Sequence, residues 1–200
     1  MVKVKLCGMT NIEDCEKAIE LGADYVGFVF YDKSKRCISP ERARSITERI
    51  NGRIKKVGVF VDGTDDEIRA TMDFCGLDFC QLYRRSTIEK SITAFRIKDR
   101  LVEAVPPRGF ILLDSYSAGF GGSGKSFDFR LLEGEPFLDR SFIAGGIDGE
   151  NVLEVLRLRP YGVDLVSSVE AYPGKKDHDK MAAFMEKVRQ RESASFARYS

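Results

Sequence analysis

Short runs rich in Val, Ile and Phe alternate with amphipathic segments of about ten residues along a chain of 200 residues. Eight such runs occur, mostly apolar on both faces, a pattern that requires parallel pairing with helices packed outside. The alternation fits either an open doubly wound sheet or a closed ring. Eight units of roughly 25 residues each favour closure. The prediction is a compact α/β protein, a (β/α)8 barrel of the TIM type over residues 1–190. A C-terminal tail follows at 191–200, where the apolar period is lost.

The first strand is expected at 2–8. A helix near 11–21 follows, with Asn11 as N-cap, acids in its first turn where the helix dipole favours them, and Gly22 as its stop. The second strand, 25–30, leads to a helix at 40–50 that Ser39 caps and Pro40 opens. Strand 56–61, helix 65–75, strand 79–83 and helix 86–94 continue the order. The fifth strand, 95–98, and the sixth, 110–114, leave only eleven residues between Lys98 and Phe110, among them Pro106-Pro107 and Gly109. A parallel crossover usually needs about a dozen or more. The fifth βα unit is therefore shortened, with a helix of at most two turns near 99–105. Helix 126–133, strand 142–147, helix 149–157, strand 163–168 and helix 177–191 complete the chain. In the last helix Met181, Phe184, Met185 and Val188 form an apolar stripe.

Hydrophobic residues make up 43% and charged residues 32%, ordinary for a globular chain and wrong for a disordered one. Lys+Arg number 32 against 31 for Asp+Glu, a formal net charge of +1, so no global positive field points to nucleic acid or an anionic membrane surface. No apolar run approaches the roughly 20 residues that span a bilayer. The N-terminus, Met-Val-Lys-Val-Lys-Leu-Cys-Gly, lacks the apolar stretch of a signal peptide. Five cysteines without a CxxC pair predict reduced thiols in a cytoplasmic protein. Charged helix faces suit a monomer, while a short unit that bared core would suit a homodimer.

In such a barrel, sites gather at the C-terminal ends of the strands. Those ends hold Cys7, Arg36 in the second loop, Tyr83-Arg84-Arg85, Asp114, Gly145-Gly146 and Ser167-Ser168. Small residues after the seventh and eighth strands let backbone N–H groups approach a phosphate; a plain strand-to-helix turn would use the same glycines. Cys7 closes the first strand, where cations and partial exposure would ionise it enough to act as a base; fully enclosed, it is a small hydrophobe. Asp114 ends the run Phe110-Ile-Leu-Leu and is either a cap for the next loop or a catalytic carboxyl of raised pKa. Gly119-Phe-Gly-Gly-Ser-Gly-Lys-Ser meets the P-loop pattern formally, but no apolar strand ending in Asp follows, and it reads as a flexible loop over the site. His178, the one histidine, reads as a solvated surface residue.

Together, Lys5-Leu-Cys-Gly-Met-Thr-Asn, Val26-Gly-Phe-Val-Phe, Ser34-Lys-Arg-Cys-Ile-Ser-Pro, Val57-Gly-Val-Phe-Val, Leu113-Asp-Ser, Gly121-Gly-Ser-Gly-Lys-Ser-Phe-Asp, Ala144-Gly-Gly-Ile and Val169-Glu-Ala-Tyr-Pro-Gly-Lys-Lys-Asp resemble the phosphoribosylanthranilate isomerases of tryptophan biosynthesis. The resemblance implies an Amadori rearrangement without cofactor or metal. N-(5′-phosphoribosyl)anthranilate becomes 1-(o-carboxyphenylamino)-1-deoxyribulose 5-phosphate. The family's acid maps onto Asp114 and its base onto Cys7. That pairing asks for opposite shifts, Asp114 raised by desolvation and Cys7 lowered by a cation or backbone dipoles. Arg36 resembles the arginine that holds the anthranilate carboxylate. Gly145, Gly146, Ser167 and Ser168 fall where the family holds the ribose phosphate.

The chain departs from the family's pattern in three places. Its fourth strand ends Gln81-Leu-Tyr-Arg-Arg where the family has Gln-Leu-His-Gly, so Tyr83 stands for a histidine facing the site. Val166-Ser-Ser-Val lacks the family's glycine after the serines, which predicts an unusual dihedral at Ser168. The fifth crossover is short. These departures keep two alternatives in view: a related sugar-phosphate isomerase with altered substrate, and a barrel that only binds phosphorylated ligands.

Overall fold

The computed structural model describes residues 1–98, 105–115 and 127–196, without the side chains of 192–196. At its centre is a closed ring of eight parallel strands in chain order: β1 (Lys3–Cys7), β2 (Tyr25–Val29), β3 (Lys55–Phe60), β4 (Phe79–Leu82), β5 (Ser91–Ile97), β6 (Phe110–Ser115), β7 (Ser141–Ile143) and β8 (Gly162–Leu165). Lys3–Leu6 of β1 lie beside Gly162–Leu165 of β8, so the ring closes and the open sheet is excluded. Helices α1 (Ile12–Glu20), α2 (Pro40–Arg49), α3 (Asp65–Cys75), α4 (Val152–Arg157) and α5 (His178–Phe196) intervene or follow. A small antiparallel hairpin, β9 (Glu170–Tyr172) and β10 (Lys175–Lys176), stands between β8 and α5.

The helix starts obey local chemistry. The Asn11 side chain accepts from the Asp14 amide, Ser39 accepts from the Arg42 amide, and Thr64 and Glu67 complete a reciprocal capping box. Each helix turns its apolar stripe to the ring: Cys15 and Ala18 of α1, Ala43 and Ile46 of α2, and Met181, Phe184, Met185 and Val188 of α5 are all buried. The last helix runs on to Phe196 rather than stopping at Arg191.

Two expected helices are not found. Residues 86–94 do not coil; the chain loops through 83–90 and enters β5 at Ser91. Ser91-Ile-Thr-Ala-Phe-Arg-Ile carries three β-branched residues, stiff side chains that suit a pleated surface. Its register, Cys80 beside Ser91 and Ile92 beside Phe110, supplies the strand without which the ring cannot close. The fourth crossover is thus shorter than the fifth was expected to be. Asp65 makes it possible. Its carboxylate accepts from Arg84 Nη1 (2.7 Å), Ser86 Oγ (2.9 Å), the Thr87 amide (2.9 Å) and Thr87 Oγ1 (2.8 Å). Those bonds hold the carboxyl far below the usual carboxylate range. Ile88, buried beside Cys80, Leu82, Ile68 and Met72, covers the wall a helix would have covered. The helix expected at 126–133 is a single 3₁₀ turn over Phe129–Leu132. The fifth helix expected near 99–105 lies, Val105 apart, outside the described residues, as does the P-loop-like segment.

Where the strands begin, the interior is aromatic. Tyr25, Phe79, Phe110, Phe142 and Tyr161 pack edge to face or tilted, with Tyr25 and Phe142 centroids 5.2 Å apart and Phe110 and Tyr161 4.7 Å apart. The Tyr25 and Tyr161 hydroxyls share a hydrogen bond of 2.7 Å.

Candidate active site

Successive side chains on a strand point to opposite faces, so the interior of the ring receives every second residue of each strand. At the strand ends these residues surround an open pocket of about 770 Å³. Its lining includes Cys7, Arg36, Tyr83, Asp114, Gly145, Gly146, Ser167 and Ser168, which brings together every site residue the sequence marked except Arg84 and Arg85. Arg84 is taken by Asp65 and the Gly63 carbonyl.

Cys7 is 5% exposed at the end of β1. Gly27 of β2 lies against it, and a Cβ there would sit 2.6 Å from Cys7 Sγ, so only glycine leaves the thiol its place. Burial pushes the thiol up, against the pull of Lys5; Asp164 adds to the rise and Lys176 opposes it. The expected lowering of Cys7 is therefore overturned: in the free protein desolvation outweighs the cations beside it. Asp114 behaves as expected. Burial, then the Asp164 charge, push it up to about 6, against the Ser115 amide, Arg96 and Lys5. Tyr83 Oη stands 3.5 Å from Asp114 Oδ2.

Arg36 reaches the pocket from the loop after β2 and is gripped from behind. Glu170 of β9 takes its Nε at 2.9 Å and its Nη2 at 2.7 Å, a forked pair. Burial works against the Glu170 charge, yet Arg36 and Lys176 hold it below the ordinary carboxylate range. Lys176 Nζ donates to the Cys7 carbonyl (2.6 Å), the Val166 carbonyl (3.1 Å) and Glu170 (3.3 Å), tying the hairpin to the thiol's own residue.

On the far side, Gly145 and Gly146 adopt φ of +82° and +67°. A Cβ on Gly145 would collide with the amide and hydroxyl of Ser115. Asn151 Nδ2 braces the turn through the Gly146 carbonyl at 2.7 Å. Ser167–Val169 form a 3₁₀ turn, and the Ser168 hydroxyl is buried without a partner among the described residues. The unusual dihedral expected at Ser168 is not found; among the described residues only Arg159 combines a side chain with positive φ.

Reading the sequence alone missed Lys5, Gln81, Asp164, Glu170 and Lys176. Lys5 Nζ is 3.0 Å from Asp164 Oδ2 and 2.9 Å from Gln81 Oε1, directly below the pocket. A charge between Val4 and Leu6, and another between Val163 and Leu165, each on a strand otherwise read as buried, was the available signal. His178 is no plain surface residue either: its Nε2 lies 2.9 Å from Asp14 Oδ1. No helix of the described residues is long and apolar enough to cross a membrane, and no cluster among them suits a metal ion.

Comparison with known proteins bears on this geometry. A family model described as N-(5′-phosphoribosyl)anthranilate (PRA) isomerase matches residues 4–187. The N-(5′-phosphoribosyl)anthranilate isomerase of Thermotoga maritima is 40% identical over 206 residues, covering 94% of this chain and 99% of that protein. Its namesake from Geobacter sp. (strain M21) is 39% identical and covers 92% and 97%. The crystal structure of the Thermus thermophilus phosphoribosyl anthranilate isomerase superposes with a TM-score of 0.82 at 34% identity, over 94% of this chain and 99% of that one. Another phosphoribosyl anthranilate isomerase, solved in complex with reduced 1-(o-carboxyphenylamino)-1-deoxyribulose 5-phosphate, gives 0.78 at 36% identity over 95% and 100%. In sequence, length and fold alike, this chain belongs to the phosphoribosylanthranilate isomerase family.

Proposed function

We propose that this isomerase of tryptophan biosynthesis converts N-(5′-phosphoribosyl)anthranilate to 1-(o-carboxyphenylamino)-1-deoxyribulose 5-phosphate with Asp114 as acid and Cys7 as base. The observation that carries the reading is the convergence of a raised carboxyl, a thiol, a braced arginine and a double-glycine turn on one pocket. Asp114 gives its proton to the furanose ring oxygen as the C1′–O bond breaks, and the anilino nitrogen lone pair forms the iminium. Cys7, as thiolate, takes the C2′ proton, and the released pair neutralises the iminium to an enolamine. Tautomerisation gives the ketone. The ring C1′–O bond opens, C2′ is oxidised as C1′ is reduced within the one sugar, and no electrons pass to or from a second molecule.

A carboxyl titrating near 6 keeps enough of its proton at neutral pH to donate it. A thiol raised by burial is ionised less often but is the stronger base once ionised. Arg36, with Nε and Nη2 on Glu170, has Nη1 to offer the anthranilate carboxylate. Gly145, Gly146, Ser167 and Ser168 suit the ribose phosphate, and a phosphate oxygen would satisfy the orphaned Ser168 hydroxyl. The test is turnover of phosphoribosylanthranilate by the purified chain, together with growth of a tryptophan auxotroph lacking this isomerase. Growth and turnover are expected. Binding without turnover would leave only a ligand-binding barrel, and faster turnover of another sugar phosphate would reassign the substrate.

A further inference from the structure

Lys5 is among the largest fully buried side chains and is 0% exposed. An ammonium has three donors and no water reaches this one. Across the ring it meets Asp164 Oδ2 at 3.0 Å from β8 and Gln81 Oε1 at 2.9 Å from β4. Its third neighbour is the Cys7 thiol, two residues along β1 on the same strand face. The reaction as drawn uses neither Lys5 nor Asp164. A buried ion pair is often no more stable than well-packed apolar side chains of similar volume, so stability does not explain this one.

The groups that act on the Cys7 thiol come from several elements. They are Lys5 on β1, Asp164 on β8, Lys176 on β10 and Tyr83 after β4, with Asp114 and Arg36 on the same pocket. Lys176 directs its donors to two carbonyls and Glu170. We propose that Lys5 is a positioning residue for the Cys7 thiol: its ammonium is shared between Asp164 and Cys7, so the thiolate meets a fixed counter-charge and Asp164 sets how much of it the sulfur receives. The catalytic consequence rests on the reading of Cys7 as the base; the sharing itself is a property of the free protein.

The electrostatics agree. Burial works against the Lys5 charge, yet Asp164 and Cys7 hold it above the ordinary lysine value. Lys5 pulls the thiol down and Asp164 pushes it up. Two residues bonded to each other therefore act on Cys7 in opposite senses, as opposite charges must, so removing each one should move the thiol in its own direction.

The test is the pH dependence of iodoacetamide alkylation, followed by mass spectrometry of the Cys7 peptide in the intact, substrate-free protein. Lys5→Met is expected to raise the midpoint by about one unit, slowing alkylation at pH 8 about tenfold. Asp164→Asn is expected to lower it. The limb of the kcat/KM profile that reports the base moves with the alkylation midpoint in each variant. Lys5→Met leaves Asp164 as an uncompensated buried charge and can fail to fold. The double variant Lys5→Met/Asp164→Asn removes both charges, and because the pull of Lys5 is the larger, its thiol still titrates above wild type. Unmoved alkylation curves, or single variants that shift the same way, overturn the proposal. Opposite shifts in alkylation with an unmoved kcat/KM profile uphold the sharing and remove Cys7 from its role as base.

Discussion

At the start of the strands the barrel is stoppered by Tyr25, Phe79, Phe110, Phe142 and Tyr161, ring against ring. At the other end the same interior holds Lys5, Gln81, Asp114, Asp164 and a thiol. Backbone and register are continuous between the two, so the difference is wholly one of side chains. Each aromatic pair contributes about 0.5–1.5 kcal/mol beyond its burial. The charged end contributes little to stability, because desolvation offsets most of the attraction between its ions. What that end gains is a carboxyl and a thiol whose proton affinities the surroundings have moved. Stability and reactivity occupy opposite ends of one ring.

That division can be broken deliberately. The largest effect belongs to the charged end: Cys7→Ala should lower kcat by about 10²–10⁴-fold while the melting temperature stays within a few degrees of wild type. Steady-state turnover beside thermal unfolding checks it; near-normal turnover removes the base. Phe142→Ala is the mirror experiment. That ring is 0% exposed, and its loss should cost about 3–5 kcal/mol in urea unfolding with kcat unchanged for the folded fraction. A matching collapse of kcat would show that the two ends are coupled.

Asp114→Asn should cross the division in both directions, losing turnover and gaining stability. The folded carboxyl titrates near 6 against 3.8 when unfolded, so the folded state resists ionisation. Wild type therefore loses stability as pH rises from about 3.8 through 6, and the Asn variant does not. Above that window the variant should be the more stable by about 3 kcal/mol, and below it the two should converge. Urea midpoints at pH 4 and pH 8 decide; a gap that is constant with pH refutes the raised carboxyl. The smallest effect is that of Tyr25→Phe, which removes the 2.7 Å bond to Tyr161 and should cost about 0.5–1.5 kcal/mol with no kinetic change.

The same contrast explains what the sequence disclosed. Strand cores such as Val57-Gly-Val-Phe-Val and Phe110-Ile-Leu-Leu are continuous apolar runs, and the pocket residues stand where such runs end, so both were legible. Lys5 and Asp164 were not. Their partners lie 76 and 159 positions away, and a lysine in an alternating N-terminal stretch looks solvated until the ring closes around it. Cys7 was placed correctly and its pKa direction misjudged, because the depth of burial is set by β2 and not by its own neighbours. At 86–94 a loop and the start of β5 read as a helix because the clamp that lets so short a crossover close is Asp65, a residue whose position at the head of α3 suggests only a favourable dipole.

That clamp has a consequence for how the chain reaches its native state. The 83–90 connection is the shortest between any two neighbouring strands of the ring, and every group bound to Asp65 lies within Gly63–Thr87 of the chain or a few residues of it. Closing a small loop costs the least chain entropy. The stretch from β3 to β5 can therefore assemble before the distant seam that brings Lys3–Leu6 of β1 to Gly162–Leu165 of β8. A transition state polarised in this way would give high φ-values at Ile92 and low ones at Val163. The connection at 83–90, looped where a helix was expected, would then mark the barrel's nucleation site.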